Sequence, residues 1–435
     1  MPQLIIFVIF LVVAPFYRDV HKWVLHAYLF SIPVNLPIFK NTLTSADLFL
    51  GIIVYLLFAD VCLGHIKPKS LDWLTGSIVI FGVAILLSII GSEFKFKALR
   101  PLGYYLKAVS LFFYILNYVD PHEIGDYFWV LILSGLLPAI FGIVTDWGAV
   151  RGLAEKNPYY LRAVSTFSGP VEFGYQMAIR ATVLFALPWR LKSVRIIALK
   201  ISLLFIFLLS VAISFTRNSY IAVILSLTIV ITIRGWEMIK KRGIGNVTRF
   251  VVPAVLVGLF VWIILPHRII ARLGMLRLGG IDPSIFVRPQ LWGAAWRMFL
   301  DHPIVGVGFG SFPAMFSSHY VPHAFPQYAK FGFVSAHNLI LMTLSELGFV
   351  GIVSLGILLG SYGRAILHFL TKVRDPWKGY LLASLSLGLS SFVFGLFDFV
   401  WVQERTATST GFMLALMVLS VWAAQLVQKG RMHSA

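Results

Sequence analysis

Long apolar runs broken by short polar stretches recur along nearly the whole chain. Each approaches the ~20 residues that a helix needs to cross a hydrocarbon layer ~30 Å thick. The pattern predicts spans at 3–16, 46–63, 73–91, 102–119, 127–147, 170–188, 196–214, 218–233, 250–266, 338–368, 379–397 and 410–427, twelve in all. The stretch 24–38, "VLHAYLFSIPVNLPI", carries two prolines and reads as a re-entrant or interfacial piece instead of a span. The runs are continuous, whereas a membrane barrel shows short alternating segments, so the expected fold is an all-α integral membrane protein. Its expected division is 1–266 with spans one to nine, 267–337 as a long loop with short helices, and 338–435 with the last three spans. The opening "MPQLIIFVIFLVVAPF" lacks a basic start and a small-residue cleavage site, which predicts a retained first span rather than a signal peptide.

Composition agrees: 59% of the 435 residues are hydrophobic, 12% are charged, and the mean hydropathy is +0.86. The 36 basic residues against 18 acidic ones give a formal charge of +18. In a polytopic chain basic loops report topology and contact with anionic lipid, so no nucleic-acid partner is expected. Cys62 is alone in an apolar run, which leaves neither a disulfide framework nor a thiolate metal site.

Charge then orients the spans. The loops "WRLKSVR" (189–195), "RGWEMIKKRGIGNVTR" (234–249) and "TKVRDPWK" (371–378), with the tail "QKGRMHSA", are short and basic and should be cytoplasmic. Counting from them puts 148–169, 215–217, 267–337 and 398–409 on the far face. One region disobeys: basic "SEFKFKALR" (92–100) falls on the far side and acidic "DPHEIGD" (120–126) inside. A miscounted span nearby is the preferred reading; the alternative is that the basic residues have a task outside.

The segment 267–337 is the only long hydrophilic insertion in the sequence, and a loop of that length is usually functional. Within it "RPQLWGAAWRMFL" (288–300) reads as a helix, with Pro289 at its first position and Asp301-His302-Pro303 as its stop.

Missing motifs narrow the chemistry. There is no phosphate loop of the G-x-x-x-x-G-K-[ST] kind, no H-E-x-x-H and no D-x-D, which counts against ATP-driven transport, zinc proteolysis and nucleotide-sugar transfer. Gly306, Gly308 and Gly310 in "GVGFGSF" lack a following lysine and read as a turn. His319 and His323 are separated by Pro322, which argues for a loop and against a metal site. No metal or other cofactor is expected.

The polar residues that remain gather on the far face. Arg217, in "ISFTRNSY", is either a helix-end anchor or a ligand for an anion entering from the membrane surface. Arg288 opens the loop helix, where a guanidinium beside a helix N-terminus suits phosphate, unless it is simply a solvated charge. Arg162, in "YYLRAVSTFSGPVEFG", is a third cation on that side. His337, in "VSAHNLILMTLSELGFVG", stands at the water boundary where a helix begins, as an interfacial anchor or as a base, imidazole being the side chain that titrates near neutrality. Glu346 lies nine residues on, on the opposite helix face and ~13 Å away along the axis, so it does not orient His337. Asp398, in "GLFDFVWVQER", ends a span on the same side; it could orient the imidazole, bind an acceptor hydroxyl, or merely close its helix. Arg180 and Asp60 fall away from this group and are read as structural. Two or three arginines with one histidine form a site suited to holding a diphosphate and deprotonating a hydroxyl.

Three blocks resemble the O-antigen ligase and Wzy-type polymerase superfamily. They are "HNLILMTLSELGFVG", similar to its H-N-x-x-L…E-x-G-x-x-G block; "RPQLWGAAWRMFLDHPIVGVGFGSF", similar to its R-x-x-x-W…P-x-x-G-x-G-x-F block; and "FTRNSY", similar to its arginine-bearing helix end. They span roughly 210–355. The resemblance implies a GT-C-like membrane enzyme of the bacterial inner membrane with its active site on the periplasmic side. It implies transfer of a glycan from an undecaprenyl diphosphate carrier to an acceptor hydroxyl, without metal or nucleotide. Carried over by position, His337 would be the general base and Arg288 and Arg217 would hold the donor diphosphate. Lipid A-core is the first-choice acceptor, with membrane lipids as surroundings. A polymerase, or a protein O-oligosaccharyltransferase, would use the same residues. This chain has Thr216 where serine often precedes the arginine, and no aromatic after His337-Asn338. A polysaccharide flippase, the reading from another class, predicts internal repeats and charges near the midplane; no repeat is visible, and the distinctive charges cluster at one face.

Overall fold

The computed structural model describes residues 18–34, 37–39, 43–66, 72–146, 163, 165–167, 169–188, 194–242, 283–321 and 335–398, with 421, 423, 424 and 426 near the end. Expected spans 3–16 and 250–266 lie outside these residues, as does nearly all of 410–427. The described chain is helical apart from one short antiparallel strand pair, β1 (Pro37–Phe39) with β2 (Leu43–Thr44). The described α-helices of six residues or more are α1 (Arg18–Val34), α2 (Ser45–Cys62), α3 (Asp72–Ile90), α4 (Leu99–Tyr118), α5 (Ile124–Ser134), α6 (Leu136–Phe141), α7 (Pro170–Ala186), α8 (Val194–Ser214), α9 (Arg217–Arg242), α10 (Pro283–Asp301), α11 (Leu339–Leu370) and α12 (Trp377–Phe397). Among the described residues five stretches are long and apolar enough to cross a membrane: Pro121–Thr145, Val194–Ser214, Arg217–Glu237, Leu339–Leu370 and Trp377–Phe397. Leu48–Cys62 and Leu74–Ile90 are shorter apolar helices. The described residues thus form a predominantly helical, multi-pass membrane fold. The doubtful stretch 24–38 is the end of α1 followed by β1, and α1 is not among those five.

Lipid is as apolar as leucine, so close packing and interhelical hydrogen bonds hold such helices together. The seam between α7, α9 and α12 shows how. Every residue from Glu172 to Ala186 of α7 is buried. Gly174 lets α7 approach so closely that a Cβ there would lie 2.5 Å from Ser214 Oγ and 2.7 Å from Ser219 Oγ. Ser226 and Ser390 share a 2.9 Å hydrogen bond, and Tyr175 donates to Ser391 at 2.9 Å. Inside this packing Arg180 donates to the backbone oxygen and Oε1 of Gln176, 2.9 and 2.8 Å away, and its guanidinium rests against Gly135.

The Ser226–Ser390 bond also makes α9 and α12 antiparallel neighbours and sets their register. Nine residues lead back to Arg217 and eight forward to Asp398, ~12–14 Å in each case. The opposite ends of the same helices are joined by Arg234, bidentate on Asp375 at 2.6 and 2.9 Å, and by the Lys378–Glu237 ion pair. The protein therefore has two distinguishable ends.

These ends resolve the charge anomaly. His122 stacks edge-on to Trp377, 6.2 Å between ring centres, so 120–126 belongs with 371–378. The basic turn 92–100 lies at the other end, where Ser92 bonds to Ser311 at 2.9 Å and Phe309 N donates to Ser88 Oγ at 3.2 Å. Both segments stand at the ends of the bundle that the count assigned to them, 92–100 with 303–312 and 120–126 with 371–378.

Candidate active site

His337 precedes α11 without being its cap. Asn338 is the N-cap: extended at φ −155°, its side chain accepts from Leu341 N at 3.0 Å and its Nδ2 donates to Leu396 O at 2.8 Å. One asparagine thereby closes the start of α11 and ties it to the end of α12. His337 itself sits at φ +52°, a left-handed conformation uncommon outside glycine and characteristic of functional positions.

That turn aims the ring at Asp398. His337 Nδ1 donates to Asp398 Oδ1 at 2.7 Å, and the second oxygen, Oδ2, faces the Arg288 guanidinium at 4.0 Å. Asp398 is buried, whereas the side chains of His337 and Arg288 are 27% and 30% exposed. With an ionised carboxylate as acceptor, Nδ1 carries the proton and Nε2 presents its lone pair. A buried carboxylate between two partly exposed groups fixes both while leaving their outer faces open.

The framework behind the pair explains why α11 reaches Asp398 at all. Tyr362 hydrogen bonds to Ser384 at 2.8 Å. From that contact fourteen residues lead up α11 to Gly348 and fourteen up α12 to Asp398, ~21 Å along either path. Gly348 and Asp398 are thus level, and 339–347 has to run across the end of the bundle to bring His337 back to Asp398. Gly348 permits this with φ +63° and ψ −154°, a break inside α11. Backbone groups opened by the break are covered from 303–308. Phe349 N donates to Pro303 O at 2.8 Å and Val350 N to Ile304 O at 3.1 Å; Val307 N donates to Ser345 O at 2.9 Å and Gly308 N to Glu346 O at 3.0 Å.

Gly306, Gly308 and Gly310 all have positive φ, as a turn requires. A Cβ on Gly306 would lie 2.3 Å from the Glu346 carbonyl carbon. Glu346, buried, accepts from Phe312 N at 3.0 Å. It serves the loop and has no part in orienting the histidine. Upstream, Trp292 Nε1 donates to Ala336 O at 3.0 Å, locking α10 to the residue before His337. At the far end of α10, Tyr320 donates to Asp301 at 2.7 Å; burial, and then the neighbouring carboxylate, push its hydroxyl up to about 12.

The remaining expected residues divide. Arg217, exposed at the first position of α9, occupies the same end as Asp398 by the register above, without being placed in contact with His337 or Arg288. Arg162 lies outside the described residues, although its neighbour Ala163 donates to Ile213 O at that same end. His319 lies in a short π-helical stretch, Phe316–Tyr320, not in the loop that Pro322 suggested, and His323 lies outside the described residues. Asp60 is held by His21 at 3.3 Å, His65 at 3.1 Å and the Tyr118 hydroxyl, at the opposite end from His337. Sequence reasoning missed the Gly348 break and the cap role of Asn338, and it started α10 at Pro289, which lies inside the helix Pro283–Asp301, so Arg288 does not open it. The second was readable as an asparagine directly before an apolar run.

No curated protein matches the chain. A family model described as O-Antigen ligase matches residues 202–356, a segment that contains Arg217, Arg288 and His337 and stops short of Asp398. The match covers about a third of the chain, and over that segment the chain is similar to the O-antigen ligase family.

Proposed function

We propose that the protein is an O-antigen ligase of the bacterial inner membrane, joining O-polysaccharide from undecaprenyl diphosphate to lipid A-core at the periplasmic face. The observation that carries this reading is the Asp398 carboxylate shared between His337 and Arg288. It sets a base and a phosphate-binding cation side by side. The acceptor hydroxyl loses its proton to His337 Nε2 as its oxygen attacks the anomeric carbon in line. The bond from that carbon to the diphosphate oxygen breaks, and the diphosphate leaves with the electron pair. One displacement inverts the anomeric centre.

Arg288 and Arg217, with Arg162 as a third cation, hold the diphosphate and stabilise the charge that grows on it. Asp398 is a positioning residue: it keeps the imidazole in the tautomer that accepts a proton and stabilises the imidazolium formed. Proton removal of this kind is worth ~10²–10⁴ in rate.

Reconstituted protein given a carrier-linked donor, with either lipid A-core or a second carrier-linked repeat as acceptor, tests the reading. Glycosylated lipid A-core is expected. Elongation of the carrier-linked repeat alone would make the enzyme a polymerase, and no product with either acceptor would sink glycan transfer.

A further inference from the structure

We propose that the basic turn 92–100 is a docking site for the phosphate headgroup of an anionic lipid in the leaflet that faces the His337 end. The proposal starts from the charge anomaly. Basic residues are depleted from the ends of spans on the far face, because the inward bias of Lys and Arg sets topology. Here Lys95, Lys97 and Arg100 cluster at the end shared with His337, and the fold holds them there.

Holding is specific. The turn is a single 3-10 stretch, Lys95–Ala98, leading into α4. Its inward residues are fixed: Phe94 N donates to Ser92 Oγ at 3.1 Å, Ser92 bonds to Ser311, and Ala98 is 1% exposed. Gly310 packs so closely that a Cβ there would meet Lys97 O at 3.1 Å and Pro101 Cγ at 2.6 Å. The outward residues are Lys95, Phe96, Lys97, Leu99 and Arg100. Phe96 is 88% exposed and Leu99 64%, large apolar side chains interleaved with cations. Glu93 is the one acidic residue of the turn, and Arg100 Nε also donates to Tyr104.

Level decides the occupant. A Cβ on Gly91 would lie 3.6 Å from Val305 Cγ2, part of the 303–308 segment covering the Gly348 break, and Gly348 is level with Asp398 at the end of the α12 span. Close by, Ile304 and Phe349 are 68% and 63% exposed. The turn therefore lies where an apolar belt gives way to water. An aromatic ring and a leucine directed outwards at that depth enter acyl chains, while adjacent ammonium groups reach the phosphate plane. A soluble phosphate would have no use for Phe96, so the partner is a lipid. The inference is independent of the glycan-transfer reading.

The test is native mass spectrometry of the full chain in neutral detergent, titrated with phosphatidylglycerol, phosphatidylcholine or inorganic phosphate. Wild type should retain phosphatidylglycerol in preference to phosphatidylcholine. Two lysines near a charged surface, at ~1 kcal/mol each, correspond to an affinity loss of about 30-fold in a Lys95→Ser/Lys97→Ser variant. Lys95→Arg/Lys97→Arg should keep the binding, and Phe96→Ser should weaken it with all charges present. Because these side chains project outwards, each variant should elute and melt as wild type does. Equal retention of phosphatidylglycerol by wild type and the double-serine variant would overturn the site. Displacement of the lipid by millimolar inorganic phosphate, with Phe96→Ser unchanged, would overturn the lipid as its partner.

Discussion

His337 and Asp398 stand 61 residues apart in sequence and meet through one 2.7 Å hydrogen bond, formed where the start of α11 crosses the end of α12. Each residue lies at a helix boundary, so backbone geometry as well as side-chain rotamer holds the pair. When Asp398 accepts from Nδ1, Nε2 is the ring nitrogen left with a lone pair.

Replacing His337 with alanine is expected to lower glycan transfer by at least ~10²-fold while the protein still inserts in the membrane. Lipopolysaccharide gels together with membrane fractionation check this. Wild-type levels of capped lipopolysaccharide in the variant would remove His337 from the mechanism.

Asp398→Asn keeps size and shape but offers an amide where the imidazole needs a carboxylate. Turnover is expected to fall about 10²-fold, with a smaller change in KM for the donor, because the misplaced group is the base. Steady-state kinetics with a lipid-linked donor separate the two constants. A change confined to KM would make Asp398 a binding residue.

Arg288→Lys retains the charge and loses the fork. Donor KM should rise about 10-fold, the equivalent of ~1.4 kcal/mol. Identical donor affinity for lysine and arginine would remove the diphosphate from this position.

Gly306→Ala places a methyl group 2.3 Å from the Glu346 carbonyl carbon in a backbone that already needs φ +70°. The left-handed conformation alone costs ~1–2 kcal/mol, and the overlap adds to it. A lowered melting temperature in detergent is expected, with loss of transfer as 303–308 leaves α11. Gly103→Ala, with no heavy atom within 4 Å of its Cβ, serves as the control that should melt as wild type does.

Much of the helical layout was legible because membrane spans write themselves as apolar runs. The expected 46–63, 73–91 and 379–397 correspond to α2, α3 and α12 within two residues. Less visible were the places where local rules yield to tertiary need. The run after His337 reads as one continuous helix, since a lone glycine in an apolar stretch carries no marker of a break. Only the segment 303–308, distant in sequence, supplies the partners that let Gly348 turn. Asp398 was readable as one carboxylate on the same side, yet its shared position between His337 and Arg288 depends on that turn and could not be counted from spacing. Arg217 was legible by its place between two runs, and the α9–α12 register puts it at the same end as the pair.

The break at Gly348 has a mechanical implication. A straight α11 would carry His337 ~16 Å beyond the end of α12. The His337–Asp398 contact thus rests on an elbow braced by 303–308, and the same brace continues into α10, which bears Arg288. Imidazole and guanidinium hang from one strut, so a substitution in that strut misaligns both together.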